Sequence, residues 1–182
     1  MANVAISGDT SGAVTLTVPS TVGTQTATFP AATGTVMVSG NMPAFSATMT
    51  GSNTTIANAT WIKLAFNNKV FDTANCYDPT TNYRFTPNVA GYYSVTVMVN
   101  GVSAAISLGS VTLGGIYKNG TNFQYGLGVN TVSGGAPIMT TTIYLNGSTD
   151  YIEAYAFQNS GSSGTIYTGI GSQFTAYLVR TA

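Results

Sequence analysis

Hydrophobic and polar residues alternate along most of this chain with a period of two. The clearest runs lie at residues 13–18, 61–66, 93–99, 151–157 and 174–179. A period of two sends successive side chains to opposite faces of a β-strand, and no segment has the spacing of an amphipathic helix. Many short strands of this kind are typical of a sandwich or jelly roll. The pattern therefore predicts an all-β protein built as a β-sandwich or jelly roll.

Turn-forming residues separate these runs. Asn-Gly pairs stand at 119–120 and 146–147, each between two strand-like runs. Because Asn-Gly readily adopts the positive φ angles of two-residue turns, we expect a β-hairpin at both positions. Gly91 precedes a strand-like run and is expected to release a tight turn.

A boundary is predicted near residues 39–43, where the sequence reads Ser-Gly-Asn-Met-Pro. It separates a β-rich N-terminal arm, residues 1–42, from a domain at 43–182. The arm holds one charged residue, Asp9, and short strands are predicted around 13–18, 25–29 and 35–38. About 40 residues cannot bury enough apolar surface to be stable alone. We therefore expect the arm to lie on a partner or on other copies. The alternative is a flexible tail, although tails are usually charged and poor in apolar residues.

The chain of 182 residues has very few charges. Five basic and five acidic residues cancel, 5% of residues are charged and 44% are hydrophobic, whereas an average protein is about 25% charged. Without clustered Lys and Arg, a nucleic-acid clamp and a polybasic membrane patch are excluded as functions. We expect no nucleic-acid and no membrane partner. The surface must be built from Thr, Ser, Asn, Gly and Tyr, or much of it must face other protein.

Cysteine usage and targeting signals suggest a soluble protein made in a cytoplasm. Cys76 is the single cysteine, so no intrachain disulfide is expected. The first residues lack the basic and apolar regions of a signal peptide. No run approaches the roughly 18 apolar residues of a membrane span.

Residues with catalytic chemistry are scarce. The absence of histidine removes the commonest general base, Ser-His triads and the usual zinc sites. Asp150 and Glu153 are three apart and would point to opposite faces of a strand, which makes a poor glycosidase pair. Asp72 and Asp78 leave two readings open: a calcium site completed by carbonyl oxygens, or a turn at Asp78 with an ion pair or cap at Asp72. We expect no enzymatic activity and no cofactor.

Five segments from residue 44 onward resemble the C1q-like domain, the trimeric jelly roll shared with the tumour necrosis factor superfamily. They lie at 44–47, 61–71, 76–93, 116–120 and 174–179. The segment at 76–93 carries the strongest match, since Tyr-Asp, then Phe-Thr-Pro, then Gly-Tyr-Tyr is similar to the family's signature with one position of shift around the proline. The resemblance implies a homotrimer. The additional acidic clusters of calcium-binding members are missing here.

Aromatic residues are the candidates for the trimer interface. We expect it to include Tyr93, Tyr151, Glu153, Tyr155, Phe157 and Tyr177. Glu153 would need a cationic partner if buried, with Lys63 and Arg84 as candidates. Exposed tyrosines can also stack on sugars and bind proteins at low entropic cost, which keeps a glycan-binding groove open as an alternative.

The N-terminal residues 8–19 and 29–36 resemble a segment common in tailed-phage virion proteins, where it often precedes C1q-like knobs. This implies a structural protein made in the host cytoplasm and carried on the virion. The expected function is a trimeric capsid decoration or cement knob whose arm contacts the major capsid protein. The candidate arm contacts are Val14, Leu16, Val18, Phe29 and Val36. The alternative is a tail-fibre tip that binds a host-surface polysaccharide.

Overall fold

A computed structural model describes residues 36–103, 110–128, 130, 131 and 134–182, together with residues 4–7, 13–16, 23, 26, 31 and 33. The chain divides into two compact units, residues 1–34 and residues 35–182. Residues 35–42, which the sequence groups with the arm, thus fall in the second unit. Among the described residues there is no helix with the length and hydrophobicity of a membrane span.

The described residues form eighteen β-strands and one short 3-10 turn, and they include no α-helix. The all-β prediction is confirmed. In chain order the strands are β1 (Val4–Ser7), β2 (Ala13–Leu16), β3 (Ala44–Met49), β4 (Thr54–Ile56), β5 (Thr60–Lys63), β6 (Asn68–Asp72), β7 (Tyr77–Asp78), β8 (Arg84–Phe85), β9 (Ala90–Met98), β10 (Val102–Ser103), β11 (Thr112–Lys118), β12 (Thr121–Gly128), β13 (Asn130–Thr131), β14 (Gly134–Gly135), β15 (Ile138–Asn146), β16 (Ile152–Gln158), β17 (Gly164–Ile166) and β18 (Gly169–Thr181).

The first unit contains an antiparallel hairpin of β1 and β2. The strand predicted around 13–18 is present as β2, which contains Val14 and Leu16, whereas β1 was not predicted. Val18 and Phe29 lie outside the described residues, as does most of the strand predicted around 25–29.

The strand predicted at 35–38 is wrong for its described residues, 36–38, which lie in no strand. Val38 and Asn41 instead close a 3-10 turn. The Asn41 backbone N–H donates to the Val38 carbonyl at 2.9 Å, and the Val38 N–H donates to Asn41 Oδ1 at 2.8 Å. Val36 has 64% of its surface exposed, so neither a neighbouring strand nor a core holds it in a sheet.

Two antiparallel sheets and a smaller third one make up the second unit. Sheet I has the strand order β15-β9-β18-β3-β6. Sheet II has the order β12-β11-β16-β8-β7, with β5 also paired to β16. The third sheet joins the short strands in the order β13-β14-β10-β17-β4. Sequence neighbours such as β15 and β16 lie in different sheets, as in a jelly roll.

Sheets I and II pack face to face around an aromatic core. Phe45 on sheet I is fully buried, and its ring stacks at centroid distances of 4.5 Å on Tyr77 and 4.6 Å on Phe85, both on sheet II. Phe174, on the strand beside β3, meets the Phe45 ring edge-on at 4.9 Å. Burying one such side chain contributes about 1.5–3 kcal/mol. The packing of the two sheets around this core confirms the predicted β-sandwich.

One of the two predicted Asn-Gly hairpins is confirmed. Asn119 and Gly120 both have positive φ angles, 52° and 77°, as a type I′ turn requires. They connect β11 to β12, with Lys118 opposite Thr121.

The hairpin predicted at residues 146–147 is wrong, because β15 and β16 on either side belong to different sheets. The side chain of Asn146 builds a corner instead. Its Oδ1 accepts backbone N–H groups of Ser148, Thr149 and Asp150 at 2.9–3.0 Å. Asp150 Oδ2 in turn accepts the Asn146 N–H at 3.1 Å, so Asp150 belongs to this corner.

Gly91 allows a close approach and does not form a turn. It lies within β9, opposite Leu145 and Thr181. A Cβ atom at this position would lie 2.4 Å from the Arg180 carbonyl oxygen and 2.6 Å from Leu178 Cδ1. The prediction of a turn at Gly91 is therefore wrong, and the glycine is explained by crowding against β18.

Candidate interaction surfaces

The outer face of sheet I, which points away from the core, carries large exposed side chains. On β9 and β15 the even-numbered residues point outward, because the odd-numbered residues between them are mostly buried. On β18 the odd-numbered residues point outward over residues 172–179. The large residues of this face are 42–57% exposed, and they are Tyr92, Ile138, Tyr144, Tyr177 and Val179. So much exposed apolar surface on one face is a sign of an interaction site.

This face also has few charged residues. Strands β3, β9 and β15 contain no charged residue, β18 contains Arg180, and the edge strand β6 contains Lys69 and Asp72. Lys118, from sheet II, places its Nζ 5.6 Å from the centroid of the Tyr144 ring. The Arg180 guanidinium carbon lies 5.6 Å from the centroid of the Tyr92 ring, and that ring is 5.6 Å from Tyr144. The hydroxyls of Thr96 and Thr140 are 3.0 Å apart. The face is thus uncharged at its centre and partly ordered by contacts between its own side chains.

The outer face of sheet II carries an aromatic cluster, defined by Trp61, Tyr117, Tyr125, Tyr155 and Phe157. The Tyr117 and Tyr155 rings stack at 3.7 Å. The Trp61 ring lies 5.3–5.9 Å from three other rings of the cluster. Gly115 makes room for it, since a Cβ atom there would lie 2.7 Å from a Trp61 ring carbon.

A partly buried ion pair lies beside the aromatic cluster. Glu153 is 6% exposed, and its Oε1 accepts a hydrogen bond from Lys63 Nζ at 2.5 Å. Of the two candidate partners, Lys63 is therefore the one that pairs with Glu153. Arg84 stacks instead on Tyr151, with 4.4 Å between its guanidinium carbon and the ring centroid. Burial, reinforced by the Glu153 charge, raises the pKa of Tyr155.

The structure distributes the predicted trimer-interface residues over three places. Tyr177 lies on the outer face of sheet I. Four residues belong to the outer side of sheet II or the segment leading into it: Tyr151, Glu153, Tyr155 and Phe157. Because these groups lie on opposite sheets, they do not form one continuous patch.

Tyr93, the remaining residue of this set, lies in the core and not at a surface, so its prediction as an interface residue is wrong. Its ring is fully buried in the core, 5.7 Å from Phe85, and its hydroxyl donates to the Val89 carbonyl at 2.7 Å. Burial raises its pKa. The neighbouring Tyr92 points outward and was missed, although the inward positions Val95 and Val97 indicate the phase of the alternation.

Asp72 and Asp78 act as caps for backbone N–H groups. Asp72 accepts the N–H groups of Cys76 and Tyr77 at 3.0 Å each and lies 3.4 Å from Lys69 Nζ. The carboxylate of Asp78 accepts three backbone N–H groups, those of Thr80, Thr81 and Asn82, at 2.9–3.0 Å. Of the two sequence readings, the geometry matches the turn and cap. Within the described part of the chain no three His, Cys, Asp or Glu side chains gather as a metal site.

Acid is expected to weaken the fold through Asp78. Backbone hydrogen bonds from Thr80 and Thr81 hold the pKa of this carboxyl well below its usual range. A carboxyl whose pKa is lower in the folded state stabilises the fold at neutral pH, and this contribution is lost as the pH falls below about 4. Urea unfolding at fixed protein concentration should give a steep fall in the free energy of unfolding between about pH 5 and pH 2. In Asp78→Asn the free energy of unfolding should be lower at pH 7 than in the wild type, and it should fall less as the pH is lowered. Equal pH profiles for the variant and the wild type would contradict this role of Asp78.

Comparison with known proteins places the fold among solved structures. No family model and no curated protein matches the sequence. The crystal structure of murine APRIL is similar with a TM-score of 0.54 at 6% identity, covering 76% of this chain and 99% of that one. The globular domain of zebrafish complement 1qA has a TM-score of 0.50 at 16% identity, covering 77% of this chain and 98% of that one. The PRD1 vertex protein P5 has a TM-score of 0.55 at 13% identity, covering 76% of this chain and 96% of that one. The chain therefore has the TNF/C1q jelly-roll fold, as the sequence predicts.

Proposed function

We propose that the protein is a non-enzymatic virion structural protein that forms a homotrimeric knob on a phage capsid. Its N-terminal arm contacts the major capsid protein in this proposal. The observation that carries it is the outer face of sheet I, which exposes Tyr92, Tyr144 and Tyr177 on a surface with few charged residues.

Such a face favours self-association. Interfaces of permanent oligomers are depleted in charged residues and enriched in tyrosine and apolar side chains at their centre. Leaving at least half of the surface of Ile138 and of Val179 exposed to water would be unfavourable in an isolated chain. The sequence resemblance to C1q-like domains implies three copies, and the similar fold of murine APRIL and complement 1qA supports the same arrangement.

A place on the virus particle is supported from two directions. Residues 8–19 and 29–36 resemble a segment of tailed-phage virion proteins. Independently, the PRD1 vertex protein P5 has a similar fold.

The arm is the proposed contact with the capsid. The β1-β2 hairpin has two strands, and a two-stranded hairpin alone is marginally stable in water. Binding to a capsid subunit would complete its burial. The proposed contacts remain Val14, Leu16, Val18, Phe29 and Val36, of which Val36 is 64% exposed.

A tail-fibre tip that binds a host polysaccharide is the second candidate. The aromatic cluster on sheet II favours it, since Tyr125 is 57% exposed and flat rings can stack on the apolar faces of sugars.

Immunogold labelling of intact particles separates the two candidates. We expect gold distributed over the heads, with unlabelled tails, because the proposed knob repeats on the capsid lattice. Labelling at the tail tip would replace the capsid proposal by the fibre tip, and unlabelled particles would contradict both.

A further inference from the structure

A cavity of about 420 Å³ opens beside the turn between β7 and β8. Its lining includes two cations, one acid and three neutral polar side chains, namely Lys69, Arg84, Asp78, Asn75, Asn82 and Thr86. The volume falls within the range of about 300–1,000 Å³ that is usual for small-molecule sites.

The acids at this cavity are already satisfied by the protein. Besides its three backbone donors, Asp78 accepts the Asn82 side-chain amide at 2.9 Å and the Thr80 hydroxyl at 3.0 Å. The neighbouring Asp72 is 1% exposed and uses both oxygens for backbone N–H groups. The Asp78 charge is therefore directed into the loop that it caps, and Asp72 also forms a long ion pair with Lys69, at 3.4 Å.

The cations, in contrast, keep most of their hydrogen-bonding capacity. Within the described part of the chain the Arg84 guanidinium donates no hydrogen bond, and its contact is the face of the Tyr151 ring. Stacking fixes the plane of a guanidinium while its N–H edge stays available. Lys69 Nζ makes contacts of 3.4 Å to Asp72 and 3.5 Å to Asn75, at the outer limit of hydrogen bonding.

We propose that this cavity binds an acidic sugar, with the sugar carboxylate held by Arg84 and Lys69. A planar carboxylate matches the two parallel N–H groups that an arginine edge presents. The neutral polar side chains can form hydrogen bonds with the hydroxyl groups of such a ligand. Asn82 donates its amide N–H to Asp78, which leaves its carbonyl oxygen to accept a hydroxyl, and Thr86 can both donate and accept.

Arg84, which lines the cavity, also belongs to sheet II, the sheet that carries the aromatic cluster. Arg84 lies opposite Glu153 in the β8-β16 register, and Tyr155 follows two residues further along β16 on the same face. The site is formed within one chain, so it depends neither on trimer formation nor on a head or tail location.

Titrations of the full-length protein, followed by the backbone amide NMR signals of Asn82 and Thr86, test the proposal. Four probes at constant ionic strength separate the possible sources: D-glucuronate, D-glucose, acetate and inorganic phosphate. Glucuronate should bind at least about tenfold more tightly than glucose, because charged hydrogen bonds are lost with the carboxylate. It should also bind more tightly than acetate, which lacks the hydroxyls. Equal affinities for glucuronate and glucose would overturn the proposal, as would phosphate or acetate binding as tightly as glucuronate.

Matched variants assign the binding to the cavity. Arg84→Gln should weaken glucuronate binding by about tenfold or more. Arg180→Gln is the control, since Arg180 also stacks on a tyrosine but lies on sheet I, and it should bind like the wild type. Should Arg84→Gln fail to fold, Lys69→Gln tests the second cation and should weaken glucuronate binding at least about threefold. Unchanged affinity in the folded cavity variants, or equal losses in the control, would overturn the assignment.

Discussion

Replacing Tyr177 by glutamate is expected to convert a trimer into monomers. Tyr177 is 55% exposed in the single chain and lies on the outer face of sheet I, opposite Ser94. If this face is the trimer contact, the new carboxylate would be buried without a partner in every copy, at a cost of several kcal/mol each. Light scattering after size exclusion should give about 56 kDa for the wild type, three times 18.7 kDa, and a single-chain mass for the variant.

Ile170→Glu provides the control. Ile170 also belongs to β18, but it precedes Gln173, where the continuous pairing of β18 with β3 begins, and 91% of its surface is exposed. This variant should remain trimeric. A monomeric wild type at micromolar concentration, or a Tyr177→Glu variant that stays trimeric, would contradict the proposed interface.

Replacing Phe45 by alanine should remove about 3–5 kcal/mol of stability. Phe45 is fully buried and contacts Tyr77, Phe85 and Phe174 with ring centroids at 4.5–4.9 Å. Its loss would leave a cavity where the two sheets meet. Since small domains are stable by only about 5–15 kcal/mol, the variant should unfold at a much lower urea concentration, measured at one fixed protein concentration.

The same chemical change at a surface position isolates the effect of burial. Phe123 on β12 is 46% exposed, and Phe123→Ala should cost less than about 1 kcal/mol. Similar losses in the two variants would show that Phe45 has no special place in the core.

The sandwich itself could be predicted because alternation is a local signal. Residues 93–99 alternate, and the structure buries Tyr93, Val95, Val97 and Val99 while Ser94 and Thr96 point outward. The corner at Asn146 could not be distinguished from a hairpin in this way. Asn-Gly favours positive φ angles in both settings, and only the long-range pairing of β15 with β9 and of β16 with β11 determines which sheet each strand joins.

The candidate surfaces were harder to predict, since they depend on which strands become neighbours. Tyr117 and Tyr155 are 38 positions apart in the numbering, yet their rings stack at 3.7 Å. The register alone would favour the wrong cation as the partner of Glu153, because Arg84 lies directly opposite it and Lys63 lies opposite Tyr155. The Arg84 guanidinium stacks on Tyr151 instead, and Lys63 pairs with the carboxylate.

The position of β18 has a consequence for biosynthesis. This strand lies between β9 and β3 at the centre of sheet I, although it follows the other four strands of that sheet in the chain. On the ribosome, the β3-β6 and β9-β15 pairs therefore emerge first as two separate halves with unprotected inner edges. The nascent chain cannot join them until β18 leaves the exit tunnel, which is the situation in which slow, non-local β-folding exposes a polypeptide to aggregation and chaperone binding.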